Sequence, residues 1–473
     1  MLYFENIEKL EGLDMEEKKE ASLERSLNLF DAIAIVAGSM IGSGIFIVSA
    51  DIARQVNSSL MLLLVWIVAG VMTLIAGLCY AEYSASIPEA GGQYVYLKKV
   101  WGRFAGFLYG WVSFLVIQTG TIAAVAVAFA KFSGVLFPQI SSNIKLISFH
   151  GISVSSLQAL AILLIVVLTY FNIRGVKDGV IIQNIFTSAK ILALVGMILC
   201  GIFLGFNPHI FTENITNFAR PENISISSAI AVAMVGALFS ADSWYNVTLI
   251  ASEIKNPERN LPMSLFFGIG GVVLIYVLVN VIYLGALPLD AIKHAPEDIV
   301  GAAFMGEIFG VWGKIIIAVI IVIAALGCVN GVILSGARIY YAMAKDGLFF
   351  NYLAELNKNH VPGNALILQG IWASFLVLTG SYSDLLDYVI FVALLFYILT
   401  IGGLVYFRKK YPDINRPYKA ILYPYLPLAY CFMATFICIN LLIHKSQYTI
   451  PGLILVGIGA LVYLFRFKLR EKK

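Results

Sequence analysis

Runs of apolar residues long enough to cross a bilayer recur along almost the whole chain, and no other feature constrains the fold as strongly. A spanning helix needs about 20 mostly apolar residues at roughly 1.5 Å of rise each. Twelve runs meet that length, near 28–50, 60–86, 104–130, 155–172, 179–205, 227–251, 264–286, 312–343, 364–380, 384–407, 420–443 and 449–467. The segments between them are too short for a second, soluble domain. With 60% hydrophobic and 13% charged residues and a mean hydropathy of +0.87, the chain cannot cover a soluble core with polar surface. The expected fold class is an all-α polytopic membrane protein with 12 transmembrane helices.

The loops orient these spans. Of the 32 Lys and Arg residues, roughly 24 fall on one side and about 7 on the other, a strong positive-inside bias that a shift of one helix would destroy. Both termini are therefore expected in the cytoplasm. Residues 1–26 carry charge but no continuous apolar core, which reads as a cytoplasmic tail rather than a signal peptide. Met15 offers an alternative start. Cys79, Cys200, Cys328, Cys431 and Cys438 all fall in apolar runs, without metal-ligand spacing, and read as small buried hydrophobes. No cofactor and no metal is expected.

Two spans are interrupted at matching depth. The first contains AGSMIGSGIF, with Gly38, Gly42 and Gly44 near its middle, where each glycine costs about 1 kcal/mol of helix stability against alanine. The sixth contains Asp242, flanked by Ser240 and Ser243 and followed by Trp244, Tyr245 and Asn246. Unwound backbone inside a bilayer is tolerated only against protein or a water-filled cavity. Paired breaks at corresponding places in two halves point to an inverted-repeat transporter with a midplane site. N–H groups beyond the first break, near Ile41–Gly44, would receive a carboxylate, and carbonyls ending the inner half-helices would receive an ammonium. A ligand bearing both groups on one carbon is an α-amino acid. Close helix packing through the Gly38–Gly42 spacing is the competing reading. Lys190, about 11 residues into the fifth span, is too deep to snorkel and costs roughly 2.5–3.5 kcal/mol to insert. It either caps carbonyls of a broken helix or acts in coupling and gating.

SMIGSGIF, EAGGQYVYL, TSAKILAL, and FSADSWYN followed by SEIKNPERNLP together resemble the L-type amino acid transporters of the amino acid–polyamine–organocation superfamily, over about residues 25–420. The resemblance implies a LeuT-like five-plus-five inverted repeat plus two C-terminal helices, working by alternating access. It divides the chain into a first repeat at 27–206, a second at 207–410, and the last two spans with a cytoplasmic end at 411–473. It implies that Met40, Ile41, Gly42, Ser43 and Gly44 bind substrate on the first helix, and Phe239, Ser240, Ala241 and Asp242 on the sixth. Phe239 closes over the substrate, and Trp244 matches a sixth-helix tryptophan after the break. Lys190 matches a lysine that bridges the fifth helix to the first and eighth where relatives bind sodium, and Asn330 matches an eighth-helix asparagine near it. Sodium-independent transport of neutral L-amino acids by exchange is the reading, with proton coupling or cationic substrates as the alternative and amino-acid sensing a remote one.

Two departures bear on this. The loop between the third and fourth spans lacks the cysteine through which mammalian members join a heavy chain, so no disulfide-linked partner is expected, and a stand-alone protein of a bacterial inner membrane is. Asp242 stands where large-neutral transporters often carry glycine; it either attracts a cationic substrate or accepts hydrogen bonds from Ser43 or Tyr245. Elsewhere, Glu82 reads as a packing feature, Arg338 as an interface anchor or gate, and Gln118, Thr119 and Thr121 as pocket or cross-helix residues. Tyr94 and Tyr96 read as interfacial aromatics, and Asp387 and Tyr388 as vestibule residues. An intramembrane enzyme is disfavoured because HExxH is absent and the five histidines are scattered. Beyond amino acids and lipid, no nucleic-acid partner is expected.

Overall fold

The computed structural model describes residues 23–149, 152–216, 224–379 and 382–468. The chain is almost wholly helical. The first span is a bent pair, α1 (Leu29–Met40) and α2 (Gly44–Val56), with 42° between them. Asn28 caps α1 by accepting from Phe30 and Asp31 amides, while Asp31 accepts from the Asn28 amide, a reciprocal capping box. Then follow α3 (Ser59–Ser86), α4 (Gln93–Trp101), α5 (Arg103–Leu136), the hairpin β1 (Lys145–Phe149) and β2 (Ile152–Ser155), α6 (Ser156–Arg174), α7 (Val176–Gly205) and α8 (Pro208–Thr216). The second half has α9 (Ile226–Ser240), α10 (Asn246–Leu249), α11 (Pro257–Ala286), α12 (Val300–Phe309), α13 (Val311–Lys345), α14 (Gly363–Thr379) and α15 (Tyr382–Lys410); α16 (Tyr425–His444) and α17 (Ser446–Tyr463) follow.

Among the described residues, nine helices are long and apolar enough to cross a membrane, or ten if the bent pair counts as one. The other two expected spans are the shorter apolar helices α9 and α14. The sixth span, expected over 227–251 with an interruption at Asp242, is broken there. Its regular helix stops at Ser240, and the rest is turn, the four-residue α10 and a 3-10 turn at Ala251–Glu253. Helices α4, α8 and α12 lie in stretches that read as loops, because none is long enough to span.

The halves pack on one another symmetrically. Exchanging each span for the one five later maps contacts onto contacts. Helix α1 packs on α7 and α9 on α15; α1 packs on α11 and α9 on α3; α7 packs on α13 and α15 on α5. Counterparts also meet directly, as α2 with α9, α3 with α11, α5 with α13 and α6 with α14. Five spans are an odd number, so the second half enters from the opposite face and the repeat is inverted. Helices α16 and α17 dock on α15.

Lipid replaces water as the outer solvent, and burial inverts accordingly. On α7 the inward stripe is Gln183, Thr187 and Lys190, all buried, whereas Ile181, Ile185 and Leu192 face outward. An apolar outside and a polar inside is what a bilayer demands of a helix that carries polar groups to the bundle interior.

The EAGG turn before α4 shows why glycine is required there. Gly91 and Gly92 have φ of +103° and +46°, and a Cβ on Gly92 would press on the Thr248 backbone carbon at 2.9 Å. The Gly91 amide donates to the Leu249 carbonyl at 2.9 Å, tying this turn to the broken sixth span. Tyr94 and Tyr96 are fully buried rather than interfacial. Tyr96 stacks on Tyr83 at 4.9 Å, and the Tyr94 hydroxyl donates to Asp346 at 2.6 Å, because α4 lies across the ends of α3 and α13 instead of facing lipid.

Candidate substrate site

The two breaks meet. Helix α1 ends at Met40 and α9 at Ser240, and the Tyr276 hydroxyl on α11 donates toward both terminal carbonyls, each at 3.1 Å. At the first break, residues 41–43 leave the helix and α2 restarts at Gly44, with first-turn N–H groups that no intrahelical carbonyl can satisfy. At the second, the chain turns at Ala241–Tyr245 with Ser243 at φ +65°, a left-handed conformation that costs a non-glycine residue on the order of 1 kcal/mol or more.

Between the breaks lies a cavity walled by Met40, Gly42, Ser43, Gly44, Phe239, Ser240 and Asp242. Ile41 and Ala241 do not reach its wall. Ser39, Val125, Ser243 and Cys328 do, as does Thr121, whose hydroxyl bonds back to the Ile117 carbonyl at 2.6 Å. Cys328 is more than a filler, since its thiol donates to the Ser39 carbonyl at 3.0 Å. About 20 Å³ is free inside, roughly the room one water needs. Any amino acid requires the helices to part or the Phe239 ring to move.

Asp242 takes a partner that neither sequence alternative supplied. Tyr397 on α15 donates to its Oδ1 at 2.6 Å, and Oδ2 is buried with no hydrogen-bond partner among the described residues. Tyr397 also stacks on Trp244 at 5.7 Å, and Tyr80 meets Trp244 edge-on at 4.8 Å. Trp244 is thus held in an aromatic cluster below the break, away from the cavity wall.

Lys190 on α7 is fully buried. Its ammonium donates to the carbonyls of Gly38, of Ile41 at 2.7 Å and of Ala324 at 3.4 Å. Among the described residues no carboxylate pairs with it; backbone oxygens of α1, its unwound turn and α13 hold the charge. A Cβ on Gly327 would approach its Nζ to 3.1 Å, so that glycine makes room for it. Asn330 lies apart, donating to the Gly179 carbonyl at 3.0 Å and to Gln183 at 2.9 Å, and accepting from Asn172 at 3.0 Å.

The glycines of the first span divide by role. A Cβ on Gly38 would collide with Gln183 and Thr187, and one on Gly44 with Ser240. These two permit close helix approach, the competing reading at Gly38. Gly42 would meet only the Cys328 sulfur at 3.4 Å, and is the glycine that leaves backbone open toward the cavity.

Toward the basic end, Arg338 is a fully buried partner of Glu253, not an anchor at the membrane surface. Glu82 is likewise buried, receiving Arg408 at 2.6 Å, Arg416 at 3.7 Å and the Ala420 amide at 2.7 Å. Gln118 bonds across helices to Asn246 at 3.1 Å, and Thr119 to its own helix at Phe114. Residues 1–22 of the tail lie outside the described residues, and Asp387 and Tyr388 fall on α15 with their side chains outside those described. Tyr276, Tyr397 and Cys328 were missed; the visible signal was a polar tip inside an apolar run, as in GVVLIYVLVN.

An inverted helical repeat whose two broken spans meet at a small interior cavity defines a secondary transporter. The chain belongs to the amino acid permease family, whose profile matches residues 27–463, and among its members to the L-type amino acid transporters. It is 30% identical over 467 residues to the mouse large neutral amino acids transporter small subunit 2, covering 96% of this chain and 84% of that one. It is 28% identical over 465 residues to the human b(0,+)-type amino acid transporter 1, covering 96% and 90%.

Proposed function

We propose that this chain carries neutral L-amino acids across a membrane by alternating access, as a sodium-independent exchanger. The observation that carries the reading is the opposition of helix ends at the cavity. The N-terminal end of α2 offers N–H groups and positive potential to a carboxylate, and the terminal carbonyls of α1 and α9 offer acceptors to an ammonium. Both relatives are amino acid transporters by name. Lys190 supplies a fixed cation among three carbonyl oxygens, at the position where the family resemblance puts sodium in other members, which supports sodium-independent transport. The repeats at 27–206 and 207–410 rock about the cavity, with both termini on the cytoplasmic side of a bacterial inner membrane and no disulfide-linked heavy chain.

A cationic substrate is the second reading, favoured by one observation: Asp242 lines the cavity with Oδ2 unpartnered. A buried carboxylate in that state attracts a cation.

Proteoliposome exchange tests both. Uptake of labelled Ala, Leu, Arg and Glu is followed with and without internal amino acid, sodium and a pH gradient. Uptake of Ala or Leu only with internal amino acid supports the proposal. Preference for Arg, lost in Asp242→Asn while Leu uptake survives, moves it to the cationic reading. Accumulation in empty vesicles under a pH gradient replaces exchange with proton coupling, and no uptake of any label overturns amino acid transport.

A further inference from the structure

At the basic end of the bundle, away from the substrate cavity, the start of α5, the turn after α13 and the end of α17 line a second, open cavity of about 410 Å³. Two guanidinium groups line it, Arg103 and Arg466. Arg103 donates to the Asp346 carbonyl at 3.0 Å, but the Asp346 carboxylate already receives Lys98 at 2.5 Å and Tyr94 at 2.6 Å. Arg466 lies over the rings of Phe350 and Phe467, 5.6 and 5.5 Å from their centroids. Among the described residues, neither arginine is in an ion pair with a carboxylate. The Asn351 side chain lines the same space, and Tyr463 and Phe349 supply its apolar wall. Phe104 and Phe465, next in sequence to the arginines, are exposed.

Two permanently charged, planar donors lining one space beside an aromatic wall suit a phosphate, which guanidinium binds by paired N–H groups. We propose that this cavity binds a phosphate group. An anionic phospholipid headgroup at the membrane surface is the source best matched to the exposed rings beside it, whose apolar faces would lie along acyl chains; free phosphate shares the chemistry.

Purified full-length protein is titrated with equal concentrations of phosphatidylglycerol and phosphatidylcholine and the retained lipid counted by native mass spectrometry. In parallel, inorganic phosphate is titrated in phosphatidylcholine nanodiscs while thermal unfolding is followed. Wild type should retain phosphatidylglycerol at least ten-fold over phosphatidylcholine, and the R103Q/R466Q variant should lose that preference. Lys314→Gln, at the other end of α13, should keep it. Arg466→Gln alone, at an exposed side chain, should weaken retention three-fold or more and serves if the double variant does not fold. A saturable phosphate-induced rise in Tm, absent from the arginine variants, assigns the free ion; no rise alongside lipid retention assigns the headgroup. Equal retention by wild type and arginine variants, or neither lipid preference nor phosphate effect in wild type, overturns the proposal.

Discussion

Lys190 donates a 2.7 Å hydrogen bond to the Ile41 carbonyl, so a cation from the fifth span closes the unwound turn of the first. The same ammonium reaches Gly38 and Ala324, joining three helices through backbone oxygens. Removing it leaves buried carbonyls unsatisfied, at about 1–3 kcal/mol each. Lys190→Ala should lower exchange at least ten-fold while folded yield in detergent falls much less. Gly327→Ala, whose Cβ would press on Phe186 at 2.9 Å and Lys190 at 3.1 Å, should reproduce part of that loss. Wild-type exchange rates in both would remove Lys190 from the mechanism.

Gly44 and Gly42 should separate packing from ligand approach. Gly44→Ala drives a methyl into Ser240 where the two broken helices touch, and should cost about 1–3 kcal/mol of stability. Gly42→Ala meets only Cys328 at van der Waals distance, so its Tm should stay near wild type and any defect should appear as a raised KM. Thermal unfolding alongside uptake kinetics reads both; equal destabilisation by the two substitutions would refute the division.

Tyr397→Phe removes the side-chain donor that Asp242 has among the described residues and leaves Oδ1 without it. If the carboxylate scaffolds the break, Tyr397→Phe and Asp242→Asn should impair Ala and Leu uptake alike. The double variant should then be less impaired than the two losses summed, by about 0.5–3 kcal/mol of coupling. Additive losses would mean that the two side chains act independently.

The Arg338–Glu253 pair is bidentate, at 2.8 and 3.0 Å, and wholly buried. Glu253 also anchors the incoming chain, its carbonyl accepting from the Ser26 and Leu27 amides at 3.0 Å. Glu253→Ala strands a guanidinium in the interior and should cost about 3–5 kcal/mol. Replacing both by Met should cost less than Glu253→Ala alone. The comparison is a melting curve for each purified variant, and a milder effect for Glu253→Ala than for the double would contradict a paired interior charge.

Span lengths, the two interrupted helices and the deep Lys190 and Asp242 were all legible in sequence. Each is a local property: twenty apolar residues or a glycine cluster carry their meaning within one or two helical turns. The resemblance added the expectation that Phe239 and the Gly42–Gly44 turn contact substrate, and both line the cavity. Tertiary structure decided which atoms meet. Tyr397 lies 155 positions from Asp242, and Tyr276 lies 236 from Met40. How little helix the sixth span regains beyond its break was hidden, because the backbone there finds its partners in the distant Gly91 turn and the Leu27 segment. Hydropathy reports the cost of leaving water, which each segment bears by itself. Hydrogen-bond partners and glycine contacts depend on how distant segments pack, and in a helical bundle of two interlocked halves only the assembled fold specifies that.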